Sequence, residues 1–228
     1  MRLMLLLAFL GLAACGKNTT EQVPTLEQQY IFTDCKAASC KTIMSIGDSI
    51  SLGYIPHLAG SLKDSYNVYH PQENCRNSYY TSLHIDQWLT EVPTPEVVIW
   101  NNGLWNASST LRTTQYNDEG TWNKTTDAQY EDDLRVTAAK LIATGARVIF
   151  VTTTELSPEV ADITEQFDVE RVADFNAIAA SVLPAYGVEV VDLNTVSQSL
   201  SGERKDGIHY TSRGSSILAD YIINQAGL

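Results

Sequence analysis

Two short stretches near opposite ends of the sequence carry side chains that can act on one another. A serine closes the tripeptide Gly47-Asp48-Ser49, directly after a short apolar run. Far along the chain, Asp206 and His209 stand three apart in Asp206-Gly207-Ile208-His209. A serine hydroxyl is a poor nucleophile until a neighbouring base takes its proton, and imidazole is the side chain with a suitable pKa. A carboxylate three residues before the histidine can reach its other ring nitrogen, fix the tautomer and stabilise the imidazolium. The order Ser…Asp…His is acceptable, because such a triad is defined by geometry and not by position. Each motif alone is ordinary: Gly-Asp-Ser is common turn and cap material, and an isolated D-x-x-H is more often a turn cap beside a loop histidine.

The elements that must bring these residues together follow from the hydrophobic pattern. Short apolar runs at Thr42–Ile46, Asn67–Tyr69, Val97–Trp100, Arg147–Thr152 and Val188–Asp192 predict strands. Helical patterns lie between and after them, at Leu83–Leu89, Asp127–Thr144, Asp168–Leu183 and Ser212–Gln225. Within the longest, Leu134, Ala138, Leu141 and Ile142 fall at i, i+4, i+7 and i+8, one face of a 3.6 period. Gly145 and Gly187 stand where helices end just before strands. Alternation of this kind predicts right-handed βαβ crossovers and a parallel sheet covered on both faces. Ligands of such sheets bind outside the carboxyl ends of the strands. That rule singles out Gly47–Leu52, Asn74–Tyr80, Asn101–Tyr130 and Thr152–Phe167. The helix opening behind Ser49 would place its N-terminus under a developing anion.

Taken together, Gly47-Asp48-Ser49 after the first strand and Asp206-Gly207-Ile208-His209 before the last helix resemble the SGNH/GDSL hydrolases. These are esterases, lipases, thioesterases and carbohydrate deacetylases on a flavodoxin-like α/β/α sandwich. The resemblance runs from about Thr42 to Gln225. It implies a three-layer α/β fold with a mostly parallel five-stranded sheet, Ser49 as nucleophile, His209 as general base and Asp206 as the orienting acid. It implies no metal or organic cofactor.

The middle of the chain departs from that family. Members carry a loop glycine whose N–H helps to hold the oxyanion, and here the stretch is Glu73-Asn74-Cys75-Arg76-Asn77-Ser78, without glycine. A backbone donor survives any replacement but proline, which leaves the Asn77 N–H available if its conformation is tolerated. The next family block, G-x-N-D, is replaced by Asn101-Asn102-Gly103-Leu104-Trp105-Asn106. This is similar to a variant, N-x-G-L-H-D, in which the asparagine stands upstream of the glycine. On that likeness Asn101 is the amide donor beside the N–H groups of Ser49 and Asn77, with Asn102 and Asn106 as alternatives. Asn101 and Trp105 would face one side if the chain stayed extended.

Composition sets the outer limits. The 228 residues suit one domain, and 44% hydrophobic against 18% charged residues gives enough material for a core. Lys and Arg total 15 against 27 Asp and Glu, a formal charge of −12 that disfavours nucleic acid and anionic headgroups as partners. Four cysteines and four histidines include no C-x-x-C or H-x-x-x-H, which argues against structural zinc. Residues 1–14, MRLMLLLAFLGLAA, have the layout of a secretory signal, too short to span a bilayer comfortably. Leu12-Ala13-Ala14-Cys15 resembles the bacterial lipobox. That likeness implies lipidation of Cys15 and a place in the cell envelope on a lipid anchor, with Gly16 favouring the outer membrane. Residues 15–41 are polar and weakly periodic, and are expected to form a tether. An exported compartment permits disulfides. Cys35–Cys40 is the simplest pairing, and Cys75 could pair with either.

The expected function is an exported ester hydrolase acting on short acyl groups of a carbohydrate or small ester. A lipase or lysophospholipase, a glycan acyltransferase, and a glycan-binding lipoprotein without activity are the alternatives. His57, His70 and His84 are expected to be structural or exposed, Asp192 a turn or cap residue, and Glu155 and Glu165 solvated. Trp105, Trp122, Tyr79 and Tyr80 are candidates for a sugar platform or for packing.

Overall fold

The computed structural model describes residues 31–108, 125–157 and 167–228. The expected signal, Cys15, Trp122 and Glu165 lie outside the described residues. Six strands form one sheet in the order β1-β3-β2-β4-β5-β6. They are β1 (Ile31–Phe32), β2 (Lys41–Ile46), β3 (Tyr66–Tyr69), β4 (Val97–Trp100), β5 (Arg147–Val151) and β6 (Glu189–Val191). From β3 to β6 every neighbouring pair is parallel, which gives the five-stranded parallel sheet the alternation predicts.

The helices are α1 (Ser49–Leu62), α2 (Ser78–Glu91), α3 (Asp127–Ala143), α4 (Val169–Val182), α5 (Leu193–Gln198) and α6 (Ser212–Ala226). α1 packs against α6, while α2, α3 and α4 pack in succession. The strands between them read as near-continuous apolar runs because both faces are covered; all four residues of β4 are buried. On α3, Leu134, Ala138 and Leu141 are fully buried as the period requires. Ile142 is exposed, because the buried stripe narrows at the end of the helix.

One departure concerns the expected tether. Ile31 and Phe32 pair antiparallel with Tyr69 and Val68, adding an edge strand that two residues are too short to announce by pattern. Cys35 and Cys40 are joined by a disulfide with their Cα atoms 6.0 Å apart, and the Cys35 N–H donates to Asn67 Oδ1 at 3.2 Å. The folded unit therefore begins before Thr42. Cys75 is a buried free thiol. Among the described residues, no helix is long and apolar enough to cross a membrane.

Candidate active site

The carboxyl end of β2 turns into α1 within two residues, Gly47 and Asp48. Only glycine fits at 47, because a Cβ there would stand 2.7 Å from Ser51 Oγ and 2.8 Å from Ser51 Cβ. Asp48 caps the helix, its Oδ1 accepting from the Ile50 N–H at 2.9 Å. Ser49 is thus the first helical residue, and its side chain stands at the sheet edge.

The loop from Arg204 to Thr211 brings the second motif to the same place. It is closed on itself by the Lys205 N–H on His209 O at 2.8 Å and an Arg204–Tyr210 bridge. His209 Nε2 lies 2.8 Å from Ser49 Oγ across 160 residues of sequence. His209 Nδ1 lies 3.0 Å from Asp206 Oδ2 and 3.2 Å from Oδ1. The N–H groups of Ile208 and His209 also donate to Asp206 Oδ1, at 2.9 and 2.7 Å. Partial burial pushes the Asp206 carboxyl up, but the His209 and Ile208 donors outweigh it and hold it below the usual carboxylate range. The side chain of His209 keeps 39% of its surface exposed, so a solvent molecule or substrate can reach it.

Behind Ser49 the packing is dry. Asp48 is fully buried, and its Oδ2 has no hydrogen-bond partner among the described residues. Burial pushes its carboxyl up to about 6, while the Ile50 N–H and the charge of His209 pull the other way. His70 is buried with Nδ1 2.6 Å from Pro71 O and Nε2 3.3 Å from Gly47 O. Burial lowers it to about 4, so it is neutral at pH 7 and serves as packing behind the turn.

The stretch Glu73–Ser78 reaches the turn from β3. The Cys75 N–H donates to Gly47 O at 3.1 Å, fastening this loop beside Ser49. Arg76 takes the left-handed conformation with φ 54°, which favours glycine, while Asn77, whose N–H stands where the family's glycine N–H is expected, is extended with φ −85°. Asn77 follows as the cap of α2, its Oδ1 accepting from the Tyr80 N–H at 2.8 Å. Among the described residues, the backbone N–H groups of Ser49 and Asn77 donate to no protein acceptor.

The three asparagines after β4 are all engaged. Asn101 stands beside the Ser49 turn, 3.5 Å from where a Gly47 Cβ would be. Its Nδ2, the expected amide donor, is turned to Val151 O at 2.7 Å and more loosely to Thr153 Oγ1 at 3.4 Å. Asn102 donates to Arg76 O and Thr81 Oγ1, and Asn106 to Ser78 Oγ. Gly103 adopts φ +150°, and a Cβ there would lie 2.4 Å from Thr153 Oγ1. The chain does not stay extended beyond it: Trp105–Ala107 form a 3-10 turn, which removes the parity expected between Asn101 and Trp105.

The pattern did not announce several residues that meet here. A cleft of about 510 Å³ runs from Ser49, Ile50 and Gly53 to His57, Lys205, Ser212 and Ser215, with Asp206 and His209 in its wall. His57 is therefore a cleft residue, eight positions after Ser49 on the same helix face, with its Nε2 3.3 Å from Ser212 Oγ. Glu155 is not merely solvated. It pairs at 2.9 Å with Arg204, whose side chain is 5% exposed and also donates to Ser157 Oγ at 2.7 Å. With the Ser157 N–H on Gly207 O at 3.0 Å, the loop after β5 braces the loop of Asp206 and His209. Asp192 caps α5 as expected, and His84 stacks on Tyr80 at 3.9 Å between ring centres. Tyr79, Tyr80 and Trp105 are half-buried, and the last two pack against the core. Among the described residues, no three His, Cys, Asp or Glu side chains gather as metal ligands.

Solved structures share this architecture over most of its length. An acetylxylan esterase from Geobacillus stearothermophilus, Axe2, superposes with a TM-score of 0.65 at 15% identity, over 83% of this chain and 95% of that one. The fold is that of the SGNH hydrolases. The acetyl xylan esterase AlAXEase superposes with a TM-score of 0.64 at 17% identity, over 81% of this chain and 98% of its own. TesA gives 0.61 at 20% identity, over 81% and 97%. No protein-family model matches the sequence, and no curated protein matches it. The SGNH-type fold places Ser49 and His209 on neighbouring strand-end loops, although at these identities the sequences have diverged almost everywhere.

Proposed function

We propose that the protein is an exported serine ester hydrolase that removes short acyl groups, acetyl above all, from a carbohydrate or other polar alcohol. The observation that carries the reading is the continuous relay from Ser49 Oγ through both nitrogens of His209 to Asp206, at 2.8 and 3.0 Å. His209 Nε2 takes the Ser49 hydroxyl proton as Oγ bonds to the ester carbonyl carbon. The carbonyl electron pair moves to oxygen, and the N–H groups of Ser49 and Asn77, which have no other acceptor among the described residues, hold that oxyanion. Collapse breaks the bond to the alcohol, which leaves with the proton from His209. Water then repeats the sequence on the acyl-Ser49 ester, releasing the acid and restoring the hydroxyl. Asn101 joins as a third donor once substrate draws its amide away from Val151 O and Thr153 Oγ1.

The substrate class follows from the cleft beside Ser49. Serine hydroxyls, the imidazoles of His57 and His209, the Lys205 amine and the Asp206 carboxylate share its wall with Ile50 and Tyr210, which offers a polar alcohol such as a sugar both hydrogen bonds and an apolar surface. Structural neighbours named as acetyl xylan esterases support the same choice. We further propose that Cys15 is lipidated after removal of residues 1–14 and holds the domain in a bacterial envelope, at the outer membrane. Disulfide bonding of Cys35 and Cys40 is in keeping with an exported compartment.

The test is turnover of p-nitrophenyl acetate, butyrate and octanoate, followed by acetylated xylan. The expected result is a rate that falls with chain length and disappears in Ser49→Ala and in His209→Ala, both still folded. Undiminished turnover in either variant overturns the assignment.

A further inference from the structure

We propose that Asn102 is a positioning residue whose side chain sets the direction of the Asn77 N–H. The inference rests on the reading of that N–H as an oxyanion donor, and concerns how it is aimed.

Asn102 is completely buried, and every polar atom of its side chain is engaged. Its Oδ1 accepts from the Trp100 indole N–H at 2.6 Å, and its Nδ2 donates to Thr81 Oγ1 at 3.0 Å and to Arg76 O at 3.1 Å. The last bond matters most, because Arg76 O and the Asn77 N–H belong to one peptide unit. In a planar trans peptide the C=O and N–H point in opposite directions. Drawing the carbonyl inward toward Asn102 therefore turns the N–H outward. A hydrogen bond on the carbonyl also polarises the peptide and makes its N–H a stronger donor.

The arrangement needs such a hold. Arg76 has φ 54°, a conformation that non-glycine residues avoid because Cβ crowds the following carbonyl oxygen. A glycine in this loop would keep it without help, whereas arginine must be held from outside. Asn74 Oδ1 accepts from the Arg76 N–H at 2.9 Å, and the guanidinium lies 4.4 Å from the centre of the Tyr80 ring. Those two contacts fix the residue on its near side. Asn102 is the one that fixes the peptide leading to Asn77.

The experiment compares wild type with Asn102→Ala, Asn102→Asp and Tyr130→Phe. Asn102→Asp keeps the volume and the Trp100 partner if the alanine variant fails to fold. Tyr130→Phe removes the 2.8 Å bond to the Asn102 backbone carbonyl and leaves the Asn102 side chain in place. The expected result is a kcat on p-nitrophenyl acetate lowered about 10- to 100-fold in both Asn102 variants, with KM within about threefold. Tyr130→Phe loses stability and keeps kcat. Crystal structures of the Asn102 variants should show the Arg76–Asn77 peptide rotated. An unmoved peptide overturns the proposal, and so does a rotated peptide with unchanged kcat. Absence of any Ser49-dependent turnover in wild type would instead remove the enzyme reading, and the peptide orientation would still decide the structural claim.

Discussion

Asp48, next to the proposed nucleophile Ser49, should leave a signature in the pH dependence of stability. Its carboxyl is fully buried, Oδ2 has no hydrogen-bond partner among the described residues, and burial raises it from 3.8 to about 6. Folded Asp48 thus holds its proton more tightly than unfolded Asp48. Between pH 4 and 6 the folded chain carries the extra proton, so this contribution to stability is fully present below about 4 and is lost as pH rises through 6. At about 1.36 kcal/mol per pH unit, the interval from 3.8 to about 6 amounts to about 3 kcal/mol. In Asp48→Asn the amide oxygen can still cap α1 through the Ile50 N–H, and nothing titrates. Urea unfolding of both proteins at half-unit steps from pH 4 to 8 isolates the effect, since every other group cancels in the difference. The variant should gain about 3 kcal/mol relative to wild type across that range, or roughly 1.5 M in midpoint at an m near 2 kcal/mol/M. A difference that stays constant with pH would refute the reasoning and mean that Asp48 is solvated, or partnered, in the folded protein.

The brace behind His209 gives a second expectation. Arg204→Ala removes charge-assisted bonds to Glu155 and Ser157, each of a kind worth about 1.5–3 kcal/mol, and should lower kcat together with the melting temperature. An unchanged kcat in the folded variant would disconnect the brace from the site. Gly103→Ala meets both a φ of +150° and the Thr153 hydroxyl 2.4 Å away, and should cost about 3 kcal/mol or more by thermal unfolding. At Arg76, glycine should be tolerated and valine should be about 2 kcal/mol less stable than glycine, because φ is 54° there. Equal stabilities would argue against the left-handed conformation. Lowering pH below the usual carboxylate range should weaken stability through Asp206, whose carboxyl is depressed by its donors; Asp206→Asn should remove that acid-side contribution in the same titrations.

That Ser49, Asp206 and His209 meet was legible because the two motifs, ordinary alone, resemble one family in combination, and because strand–helix alternation puts both at one sheet edge. The parallel strands were equally legible, since burial on both faces produces uninterrupted apolar runs such as Val97–Trp100. The edge strand Ile31–Phe32 was not, because two residues paired to Tyr69 and Val68 carry no period of their own.

The asparagines mark the same boundary from the other side. Sequence determined that three amides cluster after β4, yet it preferred Asn101 over Asn102 and Asn106 as a donor only by likeness to a variant motif. Which acceptor each one meets depends on Val151, Arg76 and Ser78, residues 26 to 50 positions away. A hydrogen bond forms only where folding brings a donor within about 3 Å of an acceptor in the right direction. His57 entered the cleft for a related reason: the packing of α1 on α6 decided that its side chain meets Ser212 beside Ser49. Residue type and local period fix what a side chain can do, while its partner is set by chain segments that no local pattern encodes.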